Sequence, residues 1–108
     1  MDKILNQIYN IHQSLISSYP EITFFCGTDV NNQIYVYYDN LDLLYKKKYL
    51  FYLTGRGNDY KEAYIDLCRQ MMDKSYMLRY KTKFYATRNI RNIIKRNKIL
   101  ENEGDEFV

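Results

Sequence analysis

A chain that performs chemistry needs nucleophiles, bases or metal ligands close to one another, and this one has few of any. His12 is the lone histidine and Cys26 and Cys68 are the two cysteines among 108 residues. Neither a disulfide scaffold nor a four-cysteine metal site can be built from that set. Ser14, Ser17, Ser18 and Ser75 have no base to activate them except His12, so no catalytic constellation assembles. Asp29, Asp39 and Asp42 could gather at a hairpin end and hold a divalent ion, but no glycine-framed loop spacing accompanies them. The expectation is a non-enzyme with no catalytic residue, no cofactor and no metal. His12 then reads as a boundary residue beside an apolar stripe, and both cysteines as small core residues.

Binding chemistry is better represented. Net charge is only +3, yet the charges are segregated. Residues 1–45 carry −4, residues 46–100 carry +11 and residues 101–108 carry −4. Between 74 and 98 lie nine basic residues and no acid, more than solubility requires. Arg79, Lys81, Lys83, Arg88, Arg91, Lys95, Arg96 and Lys98 are the candidate phosphate or partner contacts there. Tyr76, Tyr80, Phe84 and Tyr85 lie among them and could stack on unpaired bases or belong to the core. Gly55-Arg56-Gly57-Asn58-Asp59 lies between a strand and a helix start, where free N–H groups can hold an anion. It lacks the third glycine of a dinucleotide fingerprint and the Gly-Lys-Ser/Thr of a phosphate loop. A tight turn with a glycine at positive φ, capped by Asp59, is the plainer reading. Lys46-Lys47-Lys48 reads as an edge guard.

Thirteen tyrosines need positions. Tyr35 and Tyr37 alternate away from Ile34 and Val36, so one sheet face is expected to be lined with tyrosine, a residue enriched at binding surfaces. Ile, Asn, Lys and Tyr together supply 44 of the 108 residues. That usage follows AT-rich codons and speaks of origin rather than chemistry.

The elements that must position these groups follow from periodicity. Ile4, Leu5, Ile8, Ile11, Leu15 and Ile16 recur at helical spacing, Asp2 can cap the start and Pro20 disfavours helix at Tyr19. The expected helix is 3–18. Alternating β-branched and aromatic runs predict strands at 22–27 and 33–39, with hairpin chemistry in Gly27-Thr28-Asp29-Val30-Asn31-Asn32. Asn40 to Leu44 reads as a short helical turn or a connection. A third strand is expected at 49–54, stopped by Gly55-Arg56-Gly57. Asp59 and Glu62 fit a capping box for a helix to about residue 73, with Ala63, Tyr64, Leu67, Cys68 and Met71 inward. Residues 76–87 match a strand by alternation, but with no Gly, Pro or Asn before them the segment is expected to continue as helix. Thr87 can cap a final helix, 88–100, facing Ile90, Ile93 and Ile94 inward.

The expected fold class is therefore α+β: α-β-β-β-α with a three-stranded antiparallel sheet and an additional basic C-terminal helix. It forms one domain over 1–100, followed by an acidic flexible tail at 101–108. That order, with Gly55-x-Gly57 before the second helix and Lys61 and Ala63 inside it, resembles a double-stranded RNA-binding domain over residues 3–74. In that family, lysines at this helix start grip phosphates across the major groove. Here Tyr60 and Tyr64 stand where two of those lysines would be and Asp59 replaces a serine, so the resemblance implies a phosphate contact only at Lys61. The family's hairpin-loop Gly-Pro-x-His is absent as well.

In size and composition the chain also resembles the small proteins, anti-CRISPR proteins among them, that phages use against host machinery. That likeness implies a cytoplasmic inhibitor of an infected bacterial cell. It would dock on a host protein or ribonucleoprotein complex such as a CRISPR effector, with Tyr35 and Tyr37 in the interface. The alternative is a direct RNA- or DNA-binding protein using residues 74–98, with Arg56 and Lys61 as further contacts. No apolar run approaches the roughly 18–20 residues of a membrane span, so no membrane partner is expected. The sequence leaves the oligomeric state open.

Overall fold

Asp2 does at the start of the chain what its position predicts. Its carboxylate accepts the N–H groups of Ile4 (2.9 Å) and Leu5 (3.3 Å), satisfying two of the donors a helix leaves open at its first turn. Helix α1 then runs Lys3–Ser18 and stops at Tyr19, ahead of Pro20. The computed structural model describes residues 2–39, 43–44, 53–72, 85–86 and 88–103. Strands β1 (Thr23–Thr28) and β2 (Ile34–Asp39) form an antiparallel hairpin in which Phe25 faces Tyr37 and Cys26 faces Val36. Asp29 shapes the connecting loop by accepting from the N–H groups of Asn31 (2.8 Å) and Gln33 (3.0 Å), an Asx-type turn. Asn32 sits at φ 62°.

The third strand of this sheet is not where periodicity put it. Leu53 and Thr54 lie outside any strand, residues 49–52 fall outside the described residues, and the strand (β4) is Gly55–Gly57. It pairs antiparallel with β2, giving the order β1-β2-β4. The expected stop signal is thus the strand itself, and its glycines lie in extended backbone instead of at positive φ. A Cβ on Gly55 would fall 2.0 Å from the Ala63 carbonyl oxygen, and one on Gly57 would fall 2.5 Å from the Glu62 Cβ. Glycine is needed because helix α2 (Tyr60–Met72) lies directly on this strand. Asn40 to Asp42 fall outside the described residues, but Leu43–Leu44 form a short strand (β3) rather than a helical turn. It pairs with Tyr85–Ala86 (β5).

Helix α2 starts at the expected cap. The Glu62 N–H donates to the Asp59 carboxylate at 2.8 Å, while the Glu62 carboxylate accepts from Asn58 N–H at 2.7 Å, one residue earlier than a reciprocal box would place it. Helix α3 (Arg88–Asn97) buries Ile90, Ile93 and Ile94, as predicted. It ends three residues early because Lys98 turns to φ 54°. A 3-10 helix, Ile99–Glu103, follows, with Ile99 fully buried.

Helix α2 lies on β2 and β4, α1 meets the same face through His12 against Phe24 and Tyr38, and α3 packs on both helices. The core is where they meet: Ile8, Ile11, Leu15, Val36, Tyr64, Leu67, Cys68 and the isoleucines of α3. Cys68 is buried as expected, but Cys26 is exposed. Cys26 occupies the helix-facing side of an edge strand, beyond the cover of α2, which lies over β2 and β4. Alternation assigned its face correctly and said nothing of cover. No described helix is long and apolar enough to cross a membrane.

Candidate functional site

The outer face of the sheet has no helix over it among the described residues. Alternation puts Phe25 and Gly27 of β1, Tyr35 and Tyr37 of β2, and Arg56 of β4 on that face. The Phe25 and Tyr37 rings stack at 4.9 Å with planes 13° apart, and Tyr35 lies 6.2 Å from Tyr37. These spacings are those of favourable aromatic pairs. Tyr35 reaches across its partner Gly27, where a Cβ would come within 2.5 Å of the tyrosine hydroxyl oxygen. Glycine there makes room for a ring to lie flat on the strand. Beside Tyr35, the half-exposed Arg56 side chain places Nε 3.8 Å from an Asp29 carboxylate oxygen. The result is a continuous aromatic strip with a cation at one end, and Phe25 (40% exposed) is its most open ring.

The sequence placed Tyr35 and Tyr37 on one sheet face but put neither Arg56, read as a contact in a turn, nor Phe25 beside them. The signal was there: Phe25 is the cross-strand partner of Tyr37, and such pairs are the units of sheet stabilisation.

The basic residues lie elsewhere. Arg88, Lys95, Arg96 and Lys98 are exposed on α3 and its end. Arg91 is half-buried, and its Nε has no partner among the described residues. Because α3 stands on α1 and α2, those helices and the sheet separate this ridge from the aromatic strip. Lys61 projects from the first turn of α2 and pairs with Asp2. The bond raises the lysine pKa and lowers that of the aspartate. Its ammonium is thus already engaged, which weakens it as a phosphate contact. Arg79, Lys81, Lys83, the Lys46-Lys47-Lys48 run and most of the ambiguous segment 76–87 lie outside the described residues. So does Thr87, while Tyr85–Ala86, expected to be helical, form a strand held by pairing with Leu43–Leu44.

Beneath the sheet lies a polar chain that the sequence did not reveal. His12 Nδ1 and the Tyr38 hydroxyl are 2.7 Å apart, and the Tyr38 and Tyr64 hydroxyls are also 2.7 Å apart. Burial pushes both phenols well above their ordinary range and holds His12 below its usual value. The Cys68 thiol is pushed up by the same cause. These groups are held in their neutral forms, which suits packing better than nucleophilic attack. His12 does sit at the core boundary, but as the outer end of this chain. Among the described residues no three His, Cys, Asp or Glu side chains approach closely enough to hold a metal ion. No protein-family model, curated protein or solved structure matches this chain.

Proposed function

We propose that this chain is a non-enzymatic binding protein that docks on another protein through the strip Phe25–Tyr37–Tyr35 and Arg56. The partner is a host nucleic-acid-handling complex of the kind phage inhibitors target in the bacterial cytoplasm, a CRISPR effector being the type case. The observation that carries the reading is the strip itself: three adjoining rings and an arginine on a sheet face that no described helix covers. Aromatic residues and arginine supply most interface hot spots. The charge around the strip favours protein over phosphate, since Asp29 already faces Arg56 and Asp39 closes β2 on the same face. The cations of α3, on the far side, can steer the molecule towards a nucleic-acid-bearing target without taking part in the same contact.

A second reading, direct binding of RNA or DNA, draws support from α3, which carries Arg88, Arg91, Lys95 and Arg96 and no acid. The two separate in one experiment. Affinity for naked RNA and DNA is measured across a salt series and compared with affinity for an assembled CRISPR effector ribonucleoprotein. Docking through the strip predicts weak, strongly salt-dependent binding to bare nucleic acid. It also predicts tight binding to the complex, falling about 30-fold or more in the Tyr35→Ala/Tyr37→Ala variant, the loss of one hot spot of about 2 kcal/mol. Tight binding to naked nucleic acid at physiological salt, with a log–log slope of about −0.9 per neutralised phosphate that flattens when the α3 cations are replaced, overturns the docking reading for the second.

A further inference from the structure

The two edges of the three-stranded sheet are finished differently. At the β4 edge the outward Arg56 N–H is taken by the Asp66 carboxylate at 2.9 Å, and the next donor, Asn58 N–H, by Glu62 at 2.7 Å. The β1 edge has no such cover among the described residues. Its six residues, Thr-Phe-Phe-Cys-Gly-Thr, include no charge and no proline, the devices that normally blunt an open edge.

Which groups β1 offers follows from the register. Since Arg56 N–H turns away from β2, the Tyr35–Arg56 pair is not hydrogen-bonded, and the Tyr35 backbone faces Gly27 instead. By alternation Phe25, like Gly27, bonds to β2, while Phe24, Cys26 and Thr28 present their N–H and C=O groups to the open side.

A second surface, on α1, has no partner among the described residues. On α1, Leu5 (43% exposed), Tyr9 (60%) and Ile16 (40%) line up with His12 at the four-three-four spacing of a heptad seam. Lys3 is the one formally charged residue in the helix. The seam also reads the same in both directions, so in an antiparallel pair of α1 helices Leu5 of one copy meets Ile16 of the other, and Tyr9 meets His12. A surface that is its own complement is what a two-fold interface requires.

From these features we infer that β1 and the Leu5–Tyr9–Ile16 stripe of α1 form a homodimer interface, joining two sheets into one of six strands. The geometry lets one axis serve both contacts. The His12 ring touches Phe24 of β1 at 5.2 Å and Tyr38 of β2 at 5.7 Å, so at His12 the stripe meets the sheet on its β1 side. A two-fold axis beside the β1 strands therefore brings the two stripes to the same side of the joined sheet, where packed helices lie about 8–10 Å apart. Like charges do not oppose the pairing, because neither the stripe nor β1 carries any. The stripe exposes on the order of 300 Å² of apolar surface, the size at which a patch usually marks an interaction site. That is short of the ~800 Å² per partner of a standard interface, so the paired strands are needed to complete it. Assembly ends at two copies because the β4 edge is closed.

Sedimentation equilibrium on the full chain in reducing buffer tests this, over about 1–300 μM, where an interface at the low end of the size range dissociates. The expected result is a reversible monomer–dimer equilibrium. Cys26→Pro removes an edge donor that β2 does not use, and Tyr9→Lys places a charge in the seam. Each should weaken dimerisation about tenfold or more, with the wild-type circular dichroism retained and the melting temperature unchanged at concentrations low enough for both chains to be monomeric. Should the proline variant unfold, Cys26→Lys keeps the backbone donor and is expected to weaken the dimer in the same direction. A monomer at every concentration, growth beyond the dimer, or a dimer unaffected by folded variants at both positions overturns the inference.

Discussion

Tyr37 and Tyr38 are neighbours in sequence and opposites in circumstance. Tyr38 is 3% exposed with its hydroxyl fixed between His12 and Tyr64, while Tyr37 lies half-buried on the face that no described helix covers, stacked on Phe25. Residue type does not separate them; the two-residue period of the strand does. Where helices cover the sheet, a tyrosine must find a partner for its hydroxyl, because an unpaired buried polar group costs free energy. On the outer face, which no described helix covers, the rings stack on one another instead, Tyr37 on Phe25 at 4.9 Å. A composition rich in tyrosine thus supplies two different materials, sorted by parity alone.

The same substitution on each face breaks or sharpens this comparison most strongly. A methyl group on Gly55 meets backbone, the Ala63 carbonyl oxygen at 2.0 Å and the Leu67 nitrogen at 2.6 Å. One on Gly27 meets only the far end of the Tyr35 side chain. Gly55→Ala is therefore expected to cost about 3 kcal/mol or more, the upper range of overpacking, and Gly27→Ala under about 1 kcal/mol. Urea unfolding measures both, and equal costs would contradict the assignment of faces. Tyr38→Phe comes next. It removes the middle hydroxyl of the buried chain and strands the groups at either end, for an expected loss of about 1–3 kcal/mol. A neutral result would mean the chain contributes nothing net to the fold.

The smallest effect is one of pH. Burial holds the folded-state pKa of His12 below its ordinary 6.5, so as pH falls through that value the unfolded chain takes up the proton first. The His12 contribution is intact above 6.5 and is lost progressively as pH drops towards the lower folded-state pKa. Urea midpoints should decline over that window in the wild type and stay level in His12→Leu. The Asp2–Lys61 pair acts in a separate window, below the ordinary aspartate value of 3.8, so it does not obscure the measurement.

What the sequence made legible was whatever its local pattern encodes. The Asp2 cap, the halt before Pro20, the hairpin around Asp29 and the inward isoleucines of α3 all follow from spacing within a few residues. The tyrosine face followed from parity. The third strand did not, because Gly55-Arg56-Gly57 carries a single side chain and strand periodicity cannot be read without side chains. Its glycines answer to α2, whose close approach is a tertiary fact. Likewise Lys61 is engaged by a residue 59 positions away, and His12, Tyr38 and Tyr64 come from three separate elements. Leu43–Leu44 pair with a strand some forty residues on, too short a match for any period to signal.

The sorting of tyrosines has an optical consequence as well. With no tryptophan in the chain, tyrosine dominates both its intrinsic fluorescence and its near-ultraviolet absorbance. Phenols at Tyr38 and Tyr64, whose ionisation burial opposes, report on the core, while those at Tyr35 and Tyr37 report on the open sheet. The molecule therefore carries, in a single residue type, separate chromophores for its interior and for its proposed docking face.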